Sequence, residues 1–142
     1  DKPLLYLSTF FENPKDLYYD NLSSVRTKND MGQWLKYFLV GIAQTAEQSV
    51  RTLSSILAFK SGSEHMIRES YKSRATNAIT ILHRLMENPY ITVDEASKLC
   101  NITFTSASTL IKMMVKDNLL EEVTGQSRNR MFVCKPYMDL FN

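Results

Sequence analysis

Apolar residues recur through the first half of the chain at intervals of three and four, the spacing that lines one face of an α-helix. Leu4, Leu5, Leu7, Phe10 and Phe11 predict a first helix. Asn13 is placed to cap a second, with Pro14 at its first position, where a missing N–H costs nothing. Leu17, Tyr18, Leu22 and Val25 give that helix its apolar side. Asn29 or Asp30 caps a long third helix, whose stripe runs Trp34, Leu35, Phe38, Leu39, Ile42, Ala46, Val50, Leu53, Ile56 and Leu57. Ser61–Gly62 predicts its end, because Gly supplies the left-handed stop. A weakly amphipathic helix is expected from Ser63 towards Lys72.

The pattern then changes character. Ile79, Leu82, Leu85 and Met86 mark a helix from Ala75 to Glu87, closed by Pro89, which disfavours helical geometry in the residue before it. A short β-prone piece at Tyr90 follows. Thr92 with Glu95 three residues later forms a capping box for the next helix. After a turn at Asn101–Ile102, Thr103 caps a helix that buries Ala107, Leu110, Ile111 and Met114, and Asn118 is suited to end it in the left-handed region. Leu119–Val123 and Met131–Cys134 read as strands around the polar turn "TGQSRNR". Helix, helix, helix, hairpin is the outline of a winged helix-turn-helix. The chain is therefore expected to be mainly α: a helical segment with a long central helix over residues 1–74, then a winged helix-turn-helix with a small β-hairpin wing over 75–142.

Composition changes this picture little. The 142 residues are 44% hydrophobic, enough for a packed core, and four Gly with four Pro suit long helices. No apolar run is long enough to cross a bilayer, so no membrane partner and a cytoplasmic location are expected. Cys100 and Cys134 lack metal or redox spacing and read as reduced, partly buried thiols. His65 and His83 have no second ligand nearby, so no metal site is expected.

The helix from Thr103 would turn Phe104, Thr105, Ser106, Ser108, Thr109, Lys112 and Lys116 outward, with Arg128 and Arg130 at the hairpin tip. Hydroxyls can meet base edges, and cations can meet phosphates, so this is a candidate DNA- or partner-binding set: Thr105, Ser106, Thr109, Lys112, Lys116, Arg128 and Arg130. Charge argues against DNA. From Tyr90 onward, six cations (Lys98, Lys112, Lys116, Arg128, Arg130, Lys135) face six anions (Asp94, Glu95, Asp117, Glu121, Glu122, Asp139). Sequence-independent affinity for DNA comes mainly from neutralising phosphates, which a neutral module does poorly.

Three blocks carry a resemblance: "KPLLYLSTFFENPKDLYYDNL", "WLKYFLVGIAQTAEQSV" and "ENPYITVDEASKLCNITFTSASTLIKMMVKDNLLEEVTGQSRNRMFV". Together they span nearly the whole chain and resemble bacterial Fic (Fic/DOC) proteins with a C-terminal winged-helix domain. The resemblance implies transfer of AMP from ATP, with Mg, onto a protein hydroxyl, through a His-Pro-Phe-x-x-Gly-Asn-Gly-Arg motif. Its His is the general base and its glycines cradle the phosphates at a helix N-terminus. Neither His65 ("SEHMIR") nor His83 ("ILHRLM") begins that motif. In the family the motif precedes the LYLS block, so this chain is expected to be the non-catalytic C-terminal part of such a protein, holding no cofactor itself. The resemblance also makes Tyr18 and Tyr19 remnants of a nucleotide-pocket wall; as residues they read equally as core aromatics. Ser8–Asn13 ("STFFEN") matches the family's inhibitory pattern, but inside the LYLS helix and with no motif Arg to pair with it reads as coincidence.

Three roles follow as expectations: a regulatory and targeting region whose winged helix docks a protein partner, with the helical part against the rest of the Fic core; a winged-helix DNA-binding transcriptional regulator; or a structural dimerisation arm forming a homodimer. The apolar stripe around Trp34, Phe38 and Phe59 is expected to be partly bare.

Overall fold

The computed structural model describes Phe10, residues 15–126 and residues 129–141, the side chains of Lys15 and Asp16 excepted. The predicted first helix (Phe10 apart), the Asn13–Pro14 cap, the Ser8–Asn13 pattern and Arg128 lie outside these residues. The chain is mainly helical with one small antiparallel sheet. The order is α1 (Lys15–Lys28), α2 (Met31–Ser70), a 3₁₀ turn (Lys72–Arg74), α3 (Ala75–Glu87), β1 (Tyr90–Thr92), α4 (Val93–Cys100), α5 (Phe104–Lys116), β2 (Glu121–Glu122), β3 (Met131–Val133), α6 (Lys135–Met138) and a closing 3₁₀ turn (Asp139–Phe141). By packing it falls into two units, Asp1–Ser54 and Ser55–Asn142, divided inside α2. The shift in sequence character lies further on, at the 3₁₀ turn.

In the first unit, Asn29 takes the left-handed conformation at φ 55° after α1. Asp30 Oδ1 then accepts the Gln33 N–H at 3.0 Å, so Asp30 is the cap that starts α2. Packing here is aromatic. Tyr18 meets Trp34 edge-on at 5.6 Å, Trp34 lies 6.0 Å from Tyr37, and Phe10 lies 5.4 Å from Tyr37. Gly41 is needed there: a Cβ on it would stand 2.5 Å from the Phe10 ring.

Two expectations about α2 fail. It does not stop at Ser61–Gly62, and no separate helix starts at Ser63; one helix of 40 residues runs to Ser70. Gly62 has open space where its Cβ would be, so it costs only its helix propensity, about 1 kcal/mol. Phe59, Met66 and Ile67, on either side of it, pack on the core of the second unit and hold the helix through it. That burial outweighs the glycine.

The second unit has a continuous core. Ile67, Ile81, Leu82 and Leu85 are fully buried with Ala96, Leu110, Ile111 and Met114 from α4 and α5. Each large side chain buried this way contributes about 1.5–3 kcal/mol. The predicted strands are shorter than expected, Glu121–Glu122 and Met131–Val133. The sheet also has a third member: β3 lies between β1 and β2, with Ile91 opposite Phe132 and Glu122 opposite Phe132 on the other side. Cys134 N–H donates to Pro89 O at 2.9 Å and extends the β1–β3 ladder by one bond. The last turns seal the core edge: Tyr137 lies tilted on Phe59 and meets Phe141 edge-on, and its hydroxyl donates to Met86 O at 2.9 Å.

One polar contact ties α2 to α3. Glu64 Oε1 meets His83 Nε2 at 2.7 Å, and Arg68 donates to Glu64 Oε2 at 3.1 Å. His83, then Arg68, holds the Glu64 carboxyl below its ordinary value. Tyr71, buried below, has no hydrogen bond of good geometry at its hydroxyl; burial first, and the Asp117 carboxylate second, push its phenol up. No described helix is long and apolar enough to cross a membrane.

Candidate partner- or nucleic-acid-binding face

Local capping positions α5. Thr92 Oγ1 accepts the Glu95 N–H at 3.2 Å while Glu95 Oε2 accepts the Thr92 N–H at 2.7 Å, the reciprocal pair that starts α4. α4 ends with Asn101 left-handed at φ 51° and Ile102 N–H bonded to Ser97 O at 3.0 Å. Thr103 begins α5 two residues later, its Oγ1 accepting the Ser106 N–H at 3.2 Å. α5 closes on Asn118 (φ 58°), with Leu119 N–H to Met114 O at 2.9 Å and Asn118 N–H to Val115 O at 3.1 Å, a Schellman arrangement. Each of these four signals stands in the sequence.

With Ala107, Leu110, Ile111 and Met114 buried, α5 turns Phe104, Thr105, Ser106, Thr109, Lys112 and Lys116 to solvent; Ser108 is half-buried rather than outward. Phe104 is 61% exposed, an apolar ring at the helix start with nothing packed over it. The hydroxyls are not equivalent. Thr109 Oγ1 donates to Thr105 O at 3.0 Å, and Thr103 Oγ1 donates to Ser106 Oγ at 2.9 Å, so those two protons are committed. Among the described residues, Thr105 and Ser106 keep hydroxyl protons free for a ligand.

The cations divide similarly. Lys98 pairs with Asp94 at 2.6 Å and Lys135 with Glu121 at 3.5 Å; both pairs are exposed, and each sets a carboxylate beside its ammonium. Lys112, Lys116 and Arg130 make no ion pair among the described residues. Arg130 lies with its guanidinium 6.0 Å from the Phe132 ring centre. The hairpin around it turns on left-handed Gly125 (φ 61°) and Asn129 (φ 51°), and Thr124 Oγ1 bridges Glu122 Oε1 at 3.1 Å and the Met131 N–H at 3.2 Å. Glu121 and Glu122 flank it with negative charge.

Arg74 was missed by sequence reasoning. It donates to Met113 Sδ at 3.8 Å, which stations a guanidinium beside α5, one turn from Thr109. Nothing in the local sequence signals this; 39 residues separate the partners. The structure places Tyr18 and Tyr19 elsewhere, in the first unit: their rings are 5.4 Å apart, Tyr18 half-buried against Trp34 and Tyr19 62% exposed. Among the described residues, no group of three or more His, Cys, Asp or Glu is arranged to hold a metal. Cys100 and Cys134 are both free thiols, pushed up by burial. No protein-family model matches the chain.

Proposed function

We propose that this chain is the non-catalytic C-terminal region of a Fic-type protein adenylyltransferase, and that residues 75–142 form a winged helix-turn-helix that docks a protein partner through α5. The Fic assignment rests on the LYLS, WLKYFL and C-terminal sequence blocks. The helix, strand, helix, helix, hairpin order with β3 between β1 and β2 supports the winged-helix reading. One observation carries the choice of a protein over DNA. From Tyr90 onward cations and anions balance, Lys98 and Lys135 pair with Asp94 and Glu121, and α5 exposes Phe104 at its start. An apolar ring amid hydroxyls suits a protein surface, whereas a phosphate backbone calls for unpaired cations. The parent would use ATP and Mg; the residues here supply neither the base nor the phosphate cradle.

The DNA-regulator reading keeps one observation in its favour. Thr105, Ser106, Thr109, Lys112 and Lys116 share one exposed face, with Arg130 on the hairpin. A fluorescence-anisotropy titration against duplex DNA at physiological salt separates the two. Weak binding is expected, with a log–log salt slope of about −3 to −4 for roughly four phosphate contacts. Tight, sequence-selective binding would make the DNA reading the better one. Labelled ATP incubated with the chain and cell lysate should yield no labelled protein; labelling that survives replacement of both His65 and His83 would overturn the placement of the chemistry outside this chain.

A further inference from the structure

Positive charge gathers at one end of the exposed face of α5. At about 100° per residue, Thr105, Thr109, Lys112 and Lys116 fall within about 60° of one another and form one strip along the helix. Met113 borders that strip. Arg74 donates to Met113 Sδ at 3.8 Å, which brings a guanidinium from the 3₁₀ turn to the same place. Arg74, Lys112 and Lys116 are exposed and make no ion pair among the described residues. Asp117, next in the chain, faces the buried Tyr71 hydroxyl and helps to push that phenol up. The first half of α5 carries no charge, and Thr105 and Ser106 hold their free hydroxyl protons there.

The surroundings of the strip decide what it fits. α4 packs on α5 through the shared core and opens with Asp94 and Glu95, while the hairpin carries Glu121 and Glu122. A helix laid in a major groove about 12 Å wide has a phosphate strand on either side, and the helix before it crosses one of them. In that pose Asp94 and Glu95 would meet phosphates on one flank, and the hairpin carboxylates would approach the other. A single extended segment has only the strip itself to meet. Lys112 and Lys116 lie roughly 6 Å apart along the helix axis. Alternate side chains on one face of an extended chain are about 6.6 Å apart. Two carboxylates two residues apart therefore match the two ammoniums, and Arg74 offers its planar fork to a third. Thr105 and Ser106 can donate to the segment's backbone carbonyls. We infer that the partner docked by α5 presents an extended acidic segment, with carboxylates on alternate residues, to Lys112, Lys116 and Arg74. The inference rests on the reading of α5 as a protein-docking helix and names the chemistry of its partner.

A short fluorescein-labelled peptide of alternating glutamate and threonine is the probe, with its glutamine counterpart as control. Anisotropy titrations of the 142-residue chain at low salt should show binding of the glutamate peptide. Arg74→Glu with Lys112→Glu should weaken it about tenfold or more, as should the change from glutamate to glutamine in the peptide. The milder pair Arg74→Gln with Lys112→Gln should act in the same direction, and the thermal midpoint of the second unit should hold in both variants. Arg84→Glu, at a site lined instead by Ile91 and Leu99, should leave binding unchanged. Absence of binding, equal binding of the two peptides, or binding indifferent to both variants would overturn the acidic segment alone and leave α5 to dock another kind of protein surface. Duplex DNA bound more tightly than the peptide, and released by the same substitutions, would overturn the inference and the protein-docking reading together.

Discussion

The two units treat their apolar residues in opposite ways. In the second, Ile67, Ile81, Leu82, Leu85, Ile111 and Met114 are at 0–1% exposure and form one cluster. In the first, the only buried residues among those described are Asn21 and Gly41, while Leu17, Leu22, Leu35, Leu39, Val50 and Leu53 stand 39–63% exposed. Both segments show helical periodicity, so periodicity alone does not bury a side chain. Burial needs a second surface, and α3, α4, α5 and the sheet supply it for one another within a single unit. Among the described residues, Tyr18 of α1 and Phe10 pack against one side of α2, and the side bearing Leu35, Leu39, Val50 and Leu53 is exposed.

The largest effect expected to break this contrast is in α5. Met114→Asp would place an unpaired charge at a site with 0% exposure and should cost about 3 kcal/mol or more, read as a large fall in the thermal midpoint of the second unit. The matching change on the exposed side of α2, Leu39→Asp, should leave that midpoint unchanged. Equal losses in the two variants would erase the distinction between the units.

A smaller effect sharpens it. Thr92→Ala removes the acceptor for the Glu95 N–H and opens the capping box, which should cost about 1 kcal/mol in denaturant unfolding. The loss should appear in the second unit alone. Smaller still is the contribution of Glu64. Its carboxyl is held below the ordinary 4.5, chiefly by His83 and then by Arg68. A depressed carboxyl stabilises the fold above its unfolded value, and that contribution fades as pH falls through the lowered folded value. Glu64→Gln should therefore lower the thermal midpoint slightly at neutral pH, with the difference closing in acid below about pH 4.5. A gap that persists in acid would trace the effect to packing instead.

Much of the second unit was legible in the sequence because its signals are local. The Thr92–Glu95 box, the Thr103 cap, the left-handed Asn118 and the Ala107–Leu110–Ile111–Met114 face each need only neighbours within one or two turns. What was not legible depends on distant partners. Gly62 reads as a stop until Phe59 and Ile67 are seen anchored on the core. The pairing of Tyr90–Thr92 with Met131–Val133 joins segments about forty residues apart, and Arg74 reaches Met113 across a comparable gap. In α2 the sequence offers more apolar positions than one face can hold. By spacing alone Trp34 and Phe38 join Leu35 and Leu39 on one stripe, whereas the helix divides them between a side with ring contacts and an exposed one. Of the candidate binding residues, the exposed hydroxyls and lysines of α5 were readable from its buried face. The ion pair of Lys135 was not, since Lys135 meets Glu121 only because β2 and β3 pair.

The second unit completes its own core, whereas one apolar side of α2 stays exposed in the first. Amide hydrogen exchange addresses both halves at once. Amides of Leu82 and Ile111, deep in the second unit, should exchange only when that unit unfolds, while those from Leu35 to Leu53 should exchange faster through local opening. Equal protection at Leu35–Leu53 and at Leu82 and Ile111 would contradict the account.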